Sequence, residues 1–326
     1  MTLRPTGIEP RSTVVPSPDV LPDVLPTDRL SDNGVPVPAI RAELRRIASY
    51  RNVGSVVLTW AQALGTVWLA IWIGNPIGYA VAFLLMGAAH ARFASLGHEA
   101  AHRLLFTDKR ANDFVGRWLI GYPSFFPFEI YRRVHFAHHK DEFGPNEPDL
   151  KLYNGYPITR ASFWRKMRRD AFGSTGWKNL KPLLRGFRIP AARPTVLGIA
   201  VMQLPLIAVS ILIGRWWLWP VLWLAPWMTV WRVINRLRAI AEHGGMIRSD
   251  DRRLTTHHVR QGWLARFFMV PFNIGWHLAH HVDIAVPWRN LPALQRELEA
   301  AGWVTETITW PSYPALWRAL RARPAG

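Results

Sequence analysis

The sequence contains no cysteine in its 326 residues. That absence excludes disulfides, thiolate metal sites and iron–sulfur clusters, and any metal must be held by nitrogen and oxygen. Acidic residues are few, 22 Asp and Glu against 40 Lys and Arg. A basic excess of this size suits anionic lipid, an acidic protein partner or nucleic acid. No basic stretch leads into an apolar core at the start, so no signal peptide is expected. No repeat of fixed period is evident.

Tryptophan is abundant, with 18 residues. Its apolar ring and wet N–H suit a membrane interface. Residues 1–38 carry the tandem "PDVLPDVLP". Proline at that density blocks helix and sheet, so this stretch is expected to be a disordered tail. Residues 39–52, "AIRAELRRIASYRN", suggest a short basic helix lying on a membrane surface. Four apolar spans follow at about 53–73, 77–96, 195–213 and 216–234. A helix of some 20 residues crosses a ~30 Å hydrocarbon core. The linkers "GNP" and "GR" make two tight hairpins, and Pro220 and Pro226 should bend the last span.

Charge sets the orientation. The two hairpin turns hold one Arg, whereas 97–193 holds 18 Lys and Arg and 235–326 holds 12. The positive-inside rule puts both long segments and the two termini on the cytoplasmic side. The expected architecture is all-α: two transmembrane hairpins with a cytosolic helical cap formed by 97–193 and 235–326, within a single membrane domain over 53–326.

Nine of the twelve histidines fall in that cap, at four places. They are His98 and His102 in "HEAAH", His135, His138 and His139 in "HFAHH", His243 in "EHGG", and His277, His280 and His281 in "HLAHH". On a helix, positions i, i+3 and i+4 share a face. HxxxH therefore aims two imidazoles together, and HxxHH is expected to aim three. Imidazole binds Zn, Cu, Fe and Ni. Nine ligands are too many for one metal and suit two with four or five each; ligand type alone does not choose iron over zinc.

These boxes resemble those of the membrane-bound fatty-acid desaturases, the histidine-box di-iron proteins, over about residues 50–310. The resemblance implies a lone histidine between the second and third boxes, matched by His243. It implies an Asn before the third box reaching the metal through water, matched by Asn273 in "NIGWH" on the expected helical face of His277. An acidic run after the second box is matched by "NEPDL" at 146–150. It further implies two non-haem irons, for which zinc can substitute in purified protein, O2 as co-substrate, and an acyl chain as the group attacked. Acyl hydroxylases and carotenoid ketolases share the spacing, so the boxes identify chemistry better than substrate.

Glu99, Asp149, Glu242 and Asp283 stand beside or near the boxes and are candidates to orient ligating rings through their second N–H. A linear substrate needs an apolar tunnel, with His90, Trp263, Phe267, Phe268, Trp276 and the aromatics of "YPSFFPF" at 122–128 as candidate lining. His257 and His258, in a polar stretch, are expected at the surface. No fused haem or flavin domain is visible, so electrons should come from a separate donor such as a ferredoxin and its reductase. The basic run "RKMRRD" at 165–170 suits an acidic donor or anionic headgroups. A zinc-binding transporter or receptor would put its ligands within the spans. A nucleic-acid-binding protein would carry a recognisable module. Neither pattern is present.

Overall fold

The computed structural model describes residues 14–323. The chain opens as an extended strap. Residues 14–37 contain one short 3-10 turn, Pro18–Val20, and a bridge between Leu30 and Pro36. The disordered-tail expectation for 1–38 is corrected from Val14 onward, while residues 1–13 lie outside the described residues. Proline prevents regular structure but not docking. Val14 and Leu30 are buried, the Arg29 guanidinium makes two 2.7 Å bonds to Glu297, and Arg253 Nη1 donates to Pro22 O at 3.0 Å.

Helix α1 spans Pro38–Leu44 and stops. The single surface helix expected over 39–52 is therefore two pieces, because α2 begins anew at Ser49 and runs to Ile73. Arg41 and Arg45 are not spent on headgroups: both bind Asp283, at 2.9 and 2.6 Å. Helix α3, Pro76–Ala101, packs against α2 as a hairpin. The turn follows from three residues. Gly74 takes φ +67° and ends α2, Asn75 accepts from Gly78 N, and Pro76 fills the first position of α3.

At 26 residues α3 is ~39 Å long, more than a hydrocarbon core needs, so its last turns continue beyond it. From Met86 onward nearly every residue of α3 is buried, as expected of a helix apolar all round. Gly87 permits its closest approach to a neighbour. A Cβ there would lie 2.2 Å from Val230 Cγ1. Gly87→Val should therefore lower the detergent-solubilised protein's unfolding free energy by about 1–3 kcal/mol; an unchanged thermal midpoint would show that the two helices can separate freely.

Helices α4 (Lys109–Phe114), α5 (Phe128–Lys140), α6 (Leu150–Tyr153), α7 (Arg160–Ala171) and α8 (Ser174–Gly186) follow. A π-helical turn over Val115–Gly121 continues α4. Helix α9, Arg193–Leu212, is the third long apolar helix. Among the described residues, three helices are long and apolar enough to cross a membrane. Their outer faces carry exposed large apolar side chains, including Leu58, Trp68 and Trp72 on α2 and Leu204 and Leu212 on α9. Such a continuous apolar surface suits lipid.

The fourth expected span, 216–234, is not one helix. It is a π-helical segment, Trp219–Leu224, then the short α10, Ala225–Met228, then a break at Thr229 with φ −121° and ψ −81°. Pro220 and Pro226 each lack a donor for the helical ladder, and the direction resets before α11, Val230–His243. The remainder comprises α12 (Arg252–Thr255), α13 (Trp263–Phe268), α14 (His277–Val282), α15 (Leu291–Ala300) and α16 (Tyr313–Leu320). A two-residue parallel pair joins β1, His258–Val259, to β2, Thr309–Trp310. The molecule is mostly helical.

Candidate metal centre

Helix α3 carries His98 in its last turn, and His102 caps its C-terminal end. Arg132 on α5 holds that end in place: its guanidinium donates to Ala100 O and Ala101 O, both at 3.0 Å, and to Asp113. A cation is favoured at a helix C-terminus, where carbonyls lack partners. Beyond His102 the chain turns at Arg103, φ +60°. Two buried amides then fix the loop: Asn52 Nδ2 donates to Leu105 O and Asn112 Nδ2 to Ala100 O, each at 2.8 Å.

The nine histidines converge in two adjoining groups. His98, His102, His135, His139 and His280 each present a ring nitrogen within 4.8 Å of the others. Consecutive Nε2 separations are 2.8 Å for His102 and His135, 3.0 Å for His135 and His139, and 3.1 Å for His139 and His280. His98 lies among them, buried, with neither ring nitrogen hydrogen-bonded. In the second group His277 Nε2 lies 3.0 Å from His243 Nε2 and 3.1 Å from His281 Nε2. The His138 ring is 5.0 Å from that of His243. The groups touch, since His139 and His281 ring centroids are 4.6 Å apart.

One expectation is corrected here. HxxHH does not aim three rings at one place. His135 and His139 face the first group and His138 the second; His280 faces the first while His277 and His281 face the second. Neighbouring residues on a helix point about 100° apart, so an adjacent His–His pair serves two centres.

The outward nitrogens explain which atoms face in. His243 Nδ1 is 2.9 Å from Thr255 O, so it carries the proton and leaves the Nε2 lone pair turned inward. His138 Nδ1 is bound by Glu147, whose carboxylate is also held by the Tyr153 hydroxyl and Phe143 N–H. Glu142 lies within 4.8 Å of His138, His243 and His281. It faces their outer side, 3.1 Å from His243 Nδ1 and 3.5 Å from His281 Nδ1, and binds Arg252 at 2.5 Å. Converging ring nitrogens, and a buried His98 with no hydrogen-bond partner among the described residues, form a site that could hold cations. The residues present fit two metal ions, held by five nitrogens in one group and by His138, His243, His277 and His281 in the other.

Burial drives the His135, His139, His277 and His280 rings well below the ordinary imidazole range, and His281 down to about 3. Burial also opposes protonation of His243, but Glu142 outweighs it and the value rises. Glu142 itself resists burial and stays ionised beside His281 and His243. Rings held neutral in the fold are protonated in the unfolded chain below about pH 6.5. The metal-free protein should therefore lose stability as pH falls from about 6.5, by up to ~1.4 kcal/mol per pH unit for each such ring. A thermal midpoint of metal-free protein that stays flat between about pH 7 and 5 would contradict the buried, neutral assignment.

The four acidic residues singled out from the sequence are placed unevenly. Glu242 lies 3.5 Å from His277 Nδ1 and accepts from Arg238. Asp149 lines the adjoining cavity, with no hydrogen bond to a ring among the described residues. Glu99 faces away and accepts from Trp288 N at 3.1 Å. Asp283 is taken by Arg41 and Arg45. The two carboxylates that approach ring nitrogens most closely, Glu142 and Glu147, were missed. Glu147 lies inside the acidic run 146–150, whereas Glu142, four residues after His138, stands in a turn past the end of α5, where helical spacing does not reach. Asn273 is not on the helix of His277: residues 271–275 are turns, Asn273 has φ +61°, and α14 starts at His277. His257 and His258 are buried, not surface. His257 bonds Gly244 O at 2.8 Å, and His258 stacks on Trp276.

A cavity of about 570 Å³ opens onto His135, His138, His243 and His277. Of the residues expected to line a tunnel, His90, Phe125 and Phe126 line this cavity, and Tyr122 and Phe128 do not. Trp263, Phe267, Phe268 and Trp276 do not. Trp263 is exposed and Phe267 lies under the Arg92 guanidinium. They lie on other surfaces because 263–276 packs against a different side of α3 from the cavity.

Three long apolar helices, nine convergent histidines that could hold metal, and a cavity of about 570 Å³ beside them describe a membrane-associated protein with a potential metal site. The chain belongs to the fatty acid desaturase family, whose family model, described as "Fatty acid desaturase", matches residues 72–314. It is an oxidoreductase of lipid metabolism. It is 26% identical over 272 residues to a dihydrorhizobitoxine desaturase of Bradyrhizobium elkanii, covering 77% of this chain and 75% of that protein. It is 26% identical to an sn-1 oleoyl-lipid 12-desaturase of Anabaena variabilis, covering 71% and 73%. It is 24% identical to a chloroplastic omega-6 fatty acid desaturase of Brassica napus, covering 82% of this chain and 64% of that one.

Proposed function

We propose that this enzyme introduces a double bond into the acyl chain of a fatty acid or lipid, using O2 and a histidine-held pair of irons. The overall change is R–CH2–CH2–R′ + O2 + 2 e⁻ + 2 H⁺ → R–CH=CH–R′ + 2 H2O. The observation that carries it is the meeting of nine imidazoles from α3, α5, α11 and α14 beside one cavity. Two non-haem irons, when bound, supply O2 activation and attack on an unactivated C–H bond.

The chain's own residues provide the rest. Glu147 and Thr255 O fix the tautomers of His138 and His243 through their outer nitrogens, and Glu142 lies 3.5 Å from the outer nitrogen of His281. Phe125, Trp227 and Trp231 give the cavity apolar walls that hold an alkyl chain and exclude water. Asn273, on its turn before α14, is a candidate to reach a metal through water. The two electrons come from a separate donor, such as a ferredoxin with its reductase. The metal site and both long polar segments face the cytoplasm. Since no cysteine is present, single cysteines introduced at Asn75 and Arg185 can be labelled from one side each, and labelling of both from the same side would refute this orientation.

Metal analysis of the purified protein, with lipid profiles of cells with and without it, tests the reading. Iron with a product lighter by two hydrogens supports a desaturase. Gain of oxygen would make it a hydroxylase or ketolase of the same metal class. Glu147→Gln should lower metal affinity roughly 10- to 100-fold, measured as metal retained against a chelator, and retention equal to wild type would remove Glu147 from the site.

A further inference from the structure

The cavity follows one face of α11. Arg232, Asn235, Arg236, Ala239 and His243 all line it, at helical steps of three and four. Arg232 and His243 are eleven residues apart, three turns, so they face the same way ~17 Å apart along the axis. One end of this face is a histidine of the metal centre. The other is a guanidinium.

The cations along this face are not equivalent. Arg236 is neutralised by Asp170, with Nη2 at 3.3 Å from Oδ1 and Nε closer still. Arg238 is neutralised by Glu242 at 2.6 Å. Arg232 has no carboxylate within ion-pair distance among the described residues. Its Nε donates to Trp227 O at 3.0 Å and its guanidinium carbon lies 4.0 Å from the Trp227 ring centroid. Those two contacts fix its plane and leave both Nη groups without a protein acceptor among the described residues, on the cavity wall. The nearest acid, Asp170, is already engaged by Arg236, Arg169 and the Thr175 hydroxyl. A half-buried, pre-oriented cation among Trp227, Trp231 and Phe125 is costly unless an anion joins it. Its free fork matches a carboxylate or a phosphate.

We propose that Arg232 binds the anionic end of the substrate, and that the substrate lies along α11 with its reacting methylenes near His243. The acids at the cavity, Asp149 and Glu242, belong to the histidine end; Glu242 lies beside His277. The acids of the wall stand at the histidine end, where Arg238 pairs with Glu242 and Lys151 also lines the cavity, whereas Arg232 at the other end has no carboxylate engaging it among the described residues. An amphiphile with one anionic head and an uncharged tail fits that arrangement in one direction only. The span of ~17 Å holds about a dozen carbon–carbon bonds of an extended chain, so Arg232 also bears on which bond is presented. The inference rests on the desaturase reading for the identity of the reacting end, while head binding itself needs no turnover.

The test is equilibrium binding to the purified full-length protein in uncharged detergent. Tryptophan quenching by dibromostearic acid is competed with stearic acid, methyl stearate or a lysophosphatidic acid. Wild-type protein should bind the acid at least about tenfold more tightly than the ester, the range for a charge-assisted bond. Arg232→Gln should weaken the anion about tenfold and leave the ester unchanged, and Arg232→Lys should restore part of the loss. Whichever of stearate and lysophosphatidate shows the larger Arg232-dependent loss identifies the natural head as carboxylate or phosphate. Equal weakening of acid and ester, or no weakening of either, would overturn the proposal. If Arg232→Gln does not fold, wild-type preference for acid over ester decides the matter, and its absence overturns the proposal equally. Charge-dependent binding without any desaturated product would leave Arg232 as an anion site and remove the desaturase reading instead.

Discussion

His138→Ala should reduce product formation by more than about 100-fold and lower bound metal, while the protein still inserts and unfolds at a similar temperature. His138 is one of the four rings of the second group, and Glu147 locks its outer nitrogen. Removing the ring takes away a ligand and leaves the Glu147–Tyr153 pair facing a void. The control is His257→Ala. That ring is as buried as His138, but it bonds Gly244 O and joins neither group. It should cost stability and spare the metal. The measurement is metal per protein beside product per cell. Full activity in metal-depleted His138→Ala, or equal metal loss in both variants, would defeat the site assignment.

Asp170→Asn should destabilise the protein by roughly 3–5 kcal/mol, the usual cost of stranding one partner of a buried ion pair. Asp170 is fully buried on α7, and Arg236 is buried on α11. The carboxylate also accepts from Thr175 at the start of α8, so one group ties three helices. The substitution leaves the Arg236 charge in an apolar wall with a neutral partner. Asp170→Leu combined with Arg236→Met should recover much of the loss, because an apolar pair strands no charge. Thermal unfolding in detergent provides the measurement. A midpoint unmoved by Asp170→Asn would mean that the pair is solvated.

Legibility differed by residue. Eight of the nine histidines were readable because i, i+3 and i+4 spacing is a local rule and recurs at three boxes, whereas the lone His243 was matched through the family resemblance. Glu142 was not readable, because α5 ends at Lys140 and the turn beyond it sets where that carboxylate points. The use of Asp283 was not. Its neighbour His281 made a ring contact plausible, yet Arg41 and Arg45 arrive from more than two hundred residues away and take it. The strap over residues 14–37 shows the same limit: proline content speaks against helix and sheet, but docking depends on a groove that the distant helix α15 helps to form. The break at Thr229 was half visible. Two prolines announced a bend, while the separation into π-helical and short α segments depends on packing against α3 and α8.

By itself the chain order determined what is local: long apolar helices, the GNP turn, the histidine spacing, and the exclusion of thiolate chemistry by the absence of cysteine. Helical period and transfer free energy act within some twenty residues, so no neighbour is needed to read them. Only the tertiary structure decided which ring serves which centre, which carboxylate holds it, and that Arg232 stands without an acid partner. Those are pairings between remote segments, and a side chain's partner is set by the surface packed against it, not by its neighbours in sequence.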